Sequence, residues 1–117
     1  IWRARDRGAR LVVVDPRLTP IARTADLYLP VRPGRDALLM NAVLHEVVRL
    51  GGIDRDFVAD HTSGFDDVLR SIAGCAPEAV EREVGIAAAR IREAAALWVQ
   101  APRTMLLHAR GIEHHTS

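Results

Sequence analysis

Two aspartates and their neighbours carry the chemistry that the sequence offers most directly. Asp15 ends the apolar run Leu11-Val12-Val13-Val14, and Arg17 follows two residues later. A carboxylate at that point can accept hydrogen bonds from a ribose, and a guanidinium beside it can pair with a phosphate. The same Asp ahead of Pro16 also suits a turn in which it bonds nearby backbone N–H groups. Asp36 follows Gly34, a residue that lets a ligand approach the backbone closely. Its carboxylate could accept the two N–H groups that guanine presents side by side, bonds worth on the order of 1.5–3 kcal/mol each. Asp is equally a preferred N-cap for a helix that starts there. The residues alone leave both pairs of readings open.

The remaining reactive side chains point to less. His108, His114 and His115 invite a metal reading, but adjacent histidines in a strand face opposite ways and Glu113 is the only nearby carboxylate. They read as pocket or surface residues, and no metal site is expected. Cys75, the single cysteine, cannot make an internal disulfide or by itself a zinc or iron–sulfur site. Its Gly-Cys-Ala-Pro setting suits a small buried thiol.

The elements that must position these groups follow from pattern. Residues 2 to 8 read as the last turns of a helix ended by Gly8. Residues 11 to 14 read as a strand buried on both faces, and residues 19 to 25 as a short helical turn. Leu27-Tyr28-Leu29-Pro30 reads as a second strand, and Arg32-Pro33-Gly34-Arg35 as a loop. From Asp36 to about Leu50 the three- and four-residue spacing of Leu38, Leu39, Ala42, Val43, Glu46 and Val47 predicts a helix, stopped by Gly51-Gly52. Short helices follow at about 54 to 60, 64 to 73 and 77 to 83, with Asp54, Ser63 and Pro77 as starting signals. A longer one runs from about 87 to 100 with Ile91, Ala94, Ala95 and Trp98 on one face. Thr104 to His108 reads as a third strand. The expected class is α/β, a partial Rossmann-like open, mainly parallel sheet with flanking helices. In such sheets ligands bind beyond the carboxyl ends of the strands, where Asp15–Thr19, Arg32–Asp36 and Ala109–Thr116 fall.

Composition bounds the rest. The chain has 117 residues, 49% of them hydrophobic, with a formal net charge of +1, which fits a globular domain or a large piece of one. The near-zero balance argues against a protein that binds nucleic acid by neutralising phosphates. No apolar run approaches the roughly 18 to 20 residues of a membrane span. All 16 basic residues are Arg, in keeping with G- and C-rich coding. The chain opens at Ile1 without Met and stops just past an apolar run, which reads as a slice of a longer polypeptide.

Beyond these generic features, the ordered set of motifs resembles the molybdopterin oxidoreductases, the dimethyl sulfoxide reductase superfamily that includes formate dehydrogenases and nitrate reductases. The resemblance rests on Arg7-Gly8-Ala9-Arg10-Leu11-Val12-Val13-Val14-Asp15-Pro16-Arg17 and on Thr19 through Ala25-Asp26-Leu27-Tyr28-Leu29-Pro30. It continues through Arg32-Pro33-Gly34-Arg35-Asp36-Ala37-Leu38, where the family usually reads Pro-Gly-Thr-Asp-Ala. It then takes in Asp54-Arg55-Asp56-Phe57-Val58, His61-Thr62-Ser63-Gly64-Phe65 and the stretch from Gly111 to Thr116. The resemblance implies that residues 1–117 are part of the α/β domain holding one guanosine end of a bis-molybdopterin guanine dinucleotide cofactor with molybdenum or tungsten. Carried over residue by residue, it implies cofactor contacts from Asp15, Pro16, Arg17, Thr19, Gly34, Arg35 and Asp36.

The resemblance also implies a 4Fe-4S cluster and a protein ligand to the metal, both outside these residues. The slice is therefore expected to have no turnover alone, and an electron-transfer subunit or redox carrier is the expected partner. Where nitrate reductases tend to read Met-Gly-x-x-Gln-His, this chain reads Arg110-Gly111-Ile112-Glu113-His114-His115. Arg110 and His114 would then line the pocket of a small anionic substrate, and formate dehydrogenase-like activity is favoured over nitrate reduction. Two other readings stand beside this one. A nicotinamide enzyme would need a Gly-x-Gly-x-x-Gly loop about 20 residues before Asp15, and only 14 residues precede it. A non-catalytic subunit of an electron-transfer complex would show eroded nucleotide loops, whereas Asp15, Arg17, Gly34 and Asp36 all stand here.

Overall fold

Two short β-strands carry the residues of interest to a common edge. The computed structural model describes residues 1–108. Strand β1 (Val12–Val14) is three consecutive β-branched residues and β2 (Leu27–Leu29) is Leu-Tyr-Leu. They pair in parallel, with Val12, Val13 and Val14 opposite Leu27, Tyr28 and Leu29. Parallel pairing sends the chain out of both strands at the same end of the sheet, so the segments after Val14 and after Leu29 emerge side by side. A single turn of 3₁₀ helix, Ala22–Thr24, sits in the connection.

Asp26 ties this unit together. Its Oδ2 accepts the Leu11 N–H at 2.7 Å, and the Arg10 and Arg5 guanidinium groups pair with it at 3.2 and 3.5 Å. The Leu11 N–H bond, helped by those cations, holds its carboxyl below the usual carboxylate range. Arg5 comes from helix α1 (Trp2–Arg5) and also donates to the Thr24 carbonyl.

Five helices complete the described chain: α2 (Asp36–Arg49), α3 (Arg55–His61), α4 (Phe65–Ile72), α5 (Pro77–Val84) and α6 (Ala88–Gln100). Their signals are mostly those read from sequence. Asp54 caps α3 by accepting the Phe57 N–H at 2.9 Å, and Pro77 occupies the start of α5, where no N–H is needed. The core lies where α2, α5 and α6 meet the inner face of β2. Leu27, Leu29, Leu39, Val84 and Ile91 are each at most 1% exposed there. Alternation is clean in β2, with Leu27 and Leu29 buried and Tyr28 half-buried, because one face of the strand is covered by helices. Among the described residues the architecture is thus a mostly helical α/β arrangement, six helices and a two-stranded parallel sheet.

Four expectations need correction. Thr104 to His108 form no strand; Met105, Leu106 and Leu107 are exposed. A strand exists only by pairing its backbone in a ladder, and the sheet among the described residues contains β1 and β2 alone. Strand β1 is not buried on both faces: Val12 is exposed and Val13 and Val14 are half-buried, since among the described residues β2 is its one neighbouring strand and the helices pack on β2. Helix α4 is capped by Gly64, not by Ser63. Trp98 lies at the rim of the α6 packing face and is exposed, while Ile91, Ala94 and Ala95 are buried as expected. Cys75 is half-buried against the core.

Candidate functional site

The site is the common edge beyond β1 and β2, and each of its residues can be followed from the strand that delivers it. Asp15 is held at its backbone on both sides. Its N–H donates to the Leu29 carbonyl at 3.3 Å, and its carbonyl accepts the Tyr28 hydroxyl at 2.9 Å. Its side chain makes the turn that sequence allowed: Oδ1 accepts the Arg17 N–H at 2.7 Å. Only one carboxylate oxygen is used in this way, and Oδ2 has no partner among the described residues. The two readings of Asp15 are therefore compatible, since the turn uses one oxygen and leaves the other to accept. Pro16 and Arg17 are exposed, and the Arg17 guanidinium has no partner among the described residues. Thr19 closes the segment. Its Oγ1 accepts the Ala22 N–H at 3.3 Å, and its N–H donates to the Arg17 carbonyl at 2.8 Å.

The second loop leaves β2. Arg32-Pro33-Gly34-Arg35 is a tight turn closed by the Arg35 N–H on the Arg32 carbonyl at 3.0 Å, with Pro33 second and Gly34 third at φ +77°. That is the pattern of a type II turn, whose third place favours glycine. Asp36 is the first residue of α2, not its cap; Arg35 holds the cap position and its side chain makes no cap bond. The Asp36 carboxylate has no hydrogen bond or ion pair among the described residues, and it sits where the helix dipole favours negative charge. Arg35 instead reaches sideways, its Nε 3.2 Å from Oε1 of Glu83.

Asp15, Pro16, Arg17 and Thr19 thus follow β1, and Gly34, Arg35 and Asp36 follow β2, at the same end of the parallel pair. The third segment expected there, Ala109–Thr116 with Arg110 and His114, lies outside the described residues. Among the described residues no cluster of three or more His, Cys, Asp or Glu side chains could hold a metal ion, and no helix is long and apolar enough to cross a membrane. The donor set does fit a nucleotide. A free carboxylate oxygen and a free carboxylate accept from ribose hydroxyls or purine N–H groups, and one unpaired guanidinium suits phosphate.

What sequence reading missed is the scaffold behind the second loop. The Arg32 N–H donates to the Val84 carbonyl at 2.9 Å and its guanidinium to the Arg82 carbonyl at 2.7 Å. Both carbonyls belong to the last turn of α5. From α6, Arg90 donates to the Tyr28 carbonyl at 3.1 Å. These pairs are 50 and more residues apart in the chain; the one local signal was Gly85, the left-handed residue that ends α5 at φ +78°.

None of the protein-family models matches the chain. Over all 117 residues it is 33% identical to the F420-dependent formate dehydrogenase 1 subunit alpha of Methanococcus maripaludis, covering 17% of that protein. It is 35% identical over 109 residues to formate dehydrogenase H of Escherichia coli, 93% of this chain and 15% of that one. With the assimilatory nitrate reductase catalytic subunit of Bacillus subtilis it shares 31% over 114 residues, 97% of this chain and 16% of the other. The solved structure of acetylene hydratase from Pelobacter acetylenicus superposes with a TM-score of 0.92 at 28% identity, over 97% of this chain and 16% of that chain.

The chain belongs to the molybdopterin oxidoreductase superfamily.

It is homologous to one segment of the formate dehydrogenase and nitrate reductase catalytic subunits, and it spans about one-sixth of the length of these relatives. Membership in this superfamily implies a molybdopterin cofactor, and the relatives are oxidoreductases built on it.

Proposed function

We propose that residues 1–117 are part of the Rossmann-like domain that holds one guanosine end of a bis-molybdopterin guanine dinucleotide in such an oxidoreductase. Asp15, Pro16, Arg17 and Thr19 from the first loop and Gly34, Arg35 and Asp36 from the second form the contact edge. The observation that carries this reading is the Asp36 carboxylate, which follows the β2 loop at the start of α2 and has no hydrogen bond or ion pair among the described residues. When bound, the cofactor supplies two-electron redox chemistry at molybdenum or tungsten. The residues of this chain contribute recognition of the nucleotide and electrostatics. Formate oxidation is the reading favoured for the whole subunit, supported by the two formate dehydrogenase relatives; nitrate reduction is second, supported by the Bacillus subtilis relative. A 4Fe-4S cluster and an electron-transfer partner belong to the same proposal.

The test is made on the intact subunit, by counting the guanine nucleotide released per protomer on acid denaturation. The native subunit should release guanine and no adenine nucleotide. Asp36→Asn, which exchanges an acceptor facing two N–H donors for one that also donates, should lower retention of the nucleotide by roughly 10- to 100-fold. Full retention in that variant would sink the assignment of Asp36. Absence of guanine nucleotide from the native subunit would sink the reading as a whole.

A further inference from the structure

We infer that Arg32 positions the nucleotide loop by clamping it to the C-terminal turn of α5, and that the Arg35 side chain acts with it through Glu83, leaving the Arg35 backbone as its part of the contact edge. This rests on the nucleotide reading above and says how the loop of that site is held. The loop itself has little to fix it. Pro33 and Gly34 are exposed, and the turn has one internal hydrogen bond, from the Arg35 N–H to the Arg32 carbonyl. Val31 anchors it in the core on one side and the Leu39 N–H bonds the Arg35 carbonyl on the other; its side-chain restraints come from the residues Arg82 to Gly85.

Three features make this a clamp. First, Arg32 presents two donors to the end of α5, its N–H to the Val84 carbonyl and its guanidinium to the Arg82 carbonyl. Carbonyls of a last helical turn have no partners within the helix, and a cation there is favoured by the helix dipole. Second, the Arg32 side chain lies in space that Gly85 leaves open. A Cβ on Gly85 would stand 2.9 Å from Arg32 Cγ and 3.0 Å from Nε. Glycine therefore serves both the left-handed ending of α5 and the close approach of Arg32. Third, the residue on the far side of Gly34 is tied to the same turn, Arg35 Nε to Glu83 at 3.2 Å. The turn is thus gripped on both flanks by one helix end, and Asp36 begins α2 directly after the second grip. Arg35 stands where relatives in this family usually carry Thr, so its charge needs an account. Glu83 supplies one.

Arg35 and Glu83 are each about half exposed, so exchanging them leaves folding intact, and the exchange separates a latch from a ligand contact. In the intact subunit, GDP affinity of the cofactor-free form is measured by calorimetry, alongside guanine nucleotide retained after purification. Arg32→Met keeps the packing against Gly85 but removes charge and donors, and should weaken GDP binding by about tenfold. Arg32→Lys restores a donor to the Arg82 carbonyl and should fall within about threefold of the native value. Arg35→Glu should weaken binding severalfold, and the double exchange Arg35→Glu, Glu83→Arg should recover most of that loss. Rescue by Lys and by the exchange supports the clamp, because a purely packing role would be served by Met. Native-like affinity in Arg32→Met overturns it. A double exchange as weak as Arg35→Glu alone also overturns it, by making the Arg35 side chain a contact of the nucleotide. If Arg32→Met fails to fold, the exchange pair alone decides. A native subunit that takes up no GDP would end the nucleotide reading, and this one with it.

Discussion

Glu46 shows how one residue can sit on an apolar face for a polar reason. Its spacing places it with Leu39, Ala42 and Val47 on the buried side of α2, and it is 1% exposed. Two arginines reach it there. Arg49, one turn on, donates twice, at 2.6 and 2.9 Å, and Arg92 of α6 stands at 3.4 Å. Arg92 also pairs with Glu78 of α5, so a single chain of charges joins three helices. The Arg49 hydrogen bonds outweigh the burial and hold the Glu46 carboxyl below its ordinary value of 4.5. A carboxyl depressed in the folded state stabilises fully at pH above its unfolded value and loses that contribution as pH falls through the folded one. Packing of α2 on α6 should therefore loosen on acidification from about pH 5 downward, read as faster amide exchange in both helices of the intact subunit. Glu46→Gln should flatten that acid dependence, and Glu46→Met should match the native packing at neutral pH to within about 1–2 kcal/mol. An unchanged acid limb in Glu46→Gln would refute the role given to this carboxylate. Residue spacing made the buried face legible, but the partners were not, since Arg92 is 46 positions away.

At the scale of elements, starts and stops were the most legible features and pairing the least. The helices from Asp36 onward fall within a few residues of expectation because their signals are local: Asp54 bonds three residues ahead, Pro77 fills a first turn, and Gly85 ends α5. The expected strand at Thr104 to His108 had the right residues but no place in the described sheet, and composition cannot supply one. The pair Gly51-Gly52 was legible as a stop, but the two glycines do different work. Gly51 takes φ +74° with open space around it, whereas a Cβ on Gly52 would lie 2.5 Å from Val99 Cγ2 of α6 and 3.1 Å from Val47 Cγ1. Gly51→Ala should then cost about 1 kcal/mol through backbone strain alone. Gly52→Ala should cost about 1–3 kcal/mol, because valine side chains turn reluctantly and the helices must part. Amide exchange separates the two: Gly52→Ala should lower protection across α6, and Gly51→Ala should lower it near the end of α2 only. Equal effects on α6 would show that the close approach of Gly52 to Val99 does not matter to packing.

Taken as a whole, the described residues form a core with open borders. Among the described residues the parallel sheet has two strands, and a lone pair of strands is marginal in water unless something else covers it. Helices cover β2, where Leu27 and Leu29 are buried, and leave Val12 of β1 exposed. The borders carry further large apolar groups: Trp2 and Phe57 more than half exposed, Leu18 about half, and Met105 and Leu107 more so. Exposed residues of this kind are ordinary singly, but an open strand edge with apolar neighbours offers a template for another chain. Relatives of which these residues span about one-sixth have ample chain to cover such borders. The 117-residue polypeptide produced alone should therefore self-associate at micromolar concentration and melt without a sharp transition, in contrast to the same residues inside the intact subunit. Sedimentation velocity and thermal melting on the isolated polypeptide measure both. A monodisperse monomer with one cooperative transition would mean that the core of β2, α2, α5 and α6 is sufficient by itself. The clamp between Arg32 and α5, which lies wholly within that core's neighbourhood, could then be studied on the short chain.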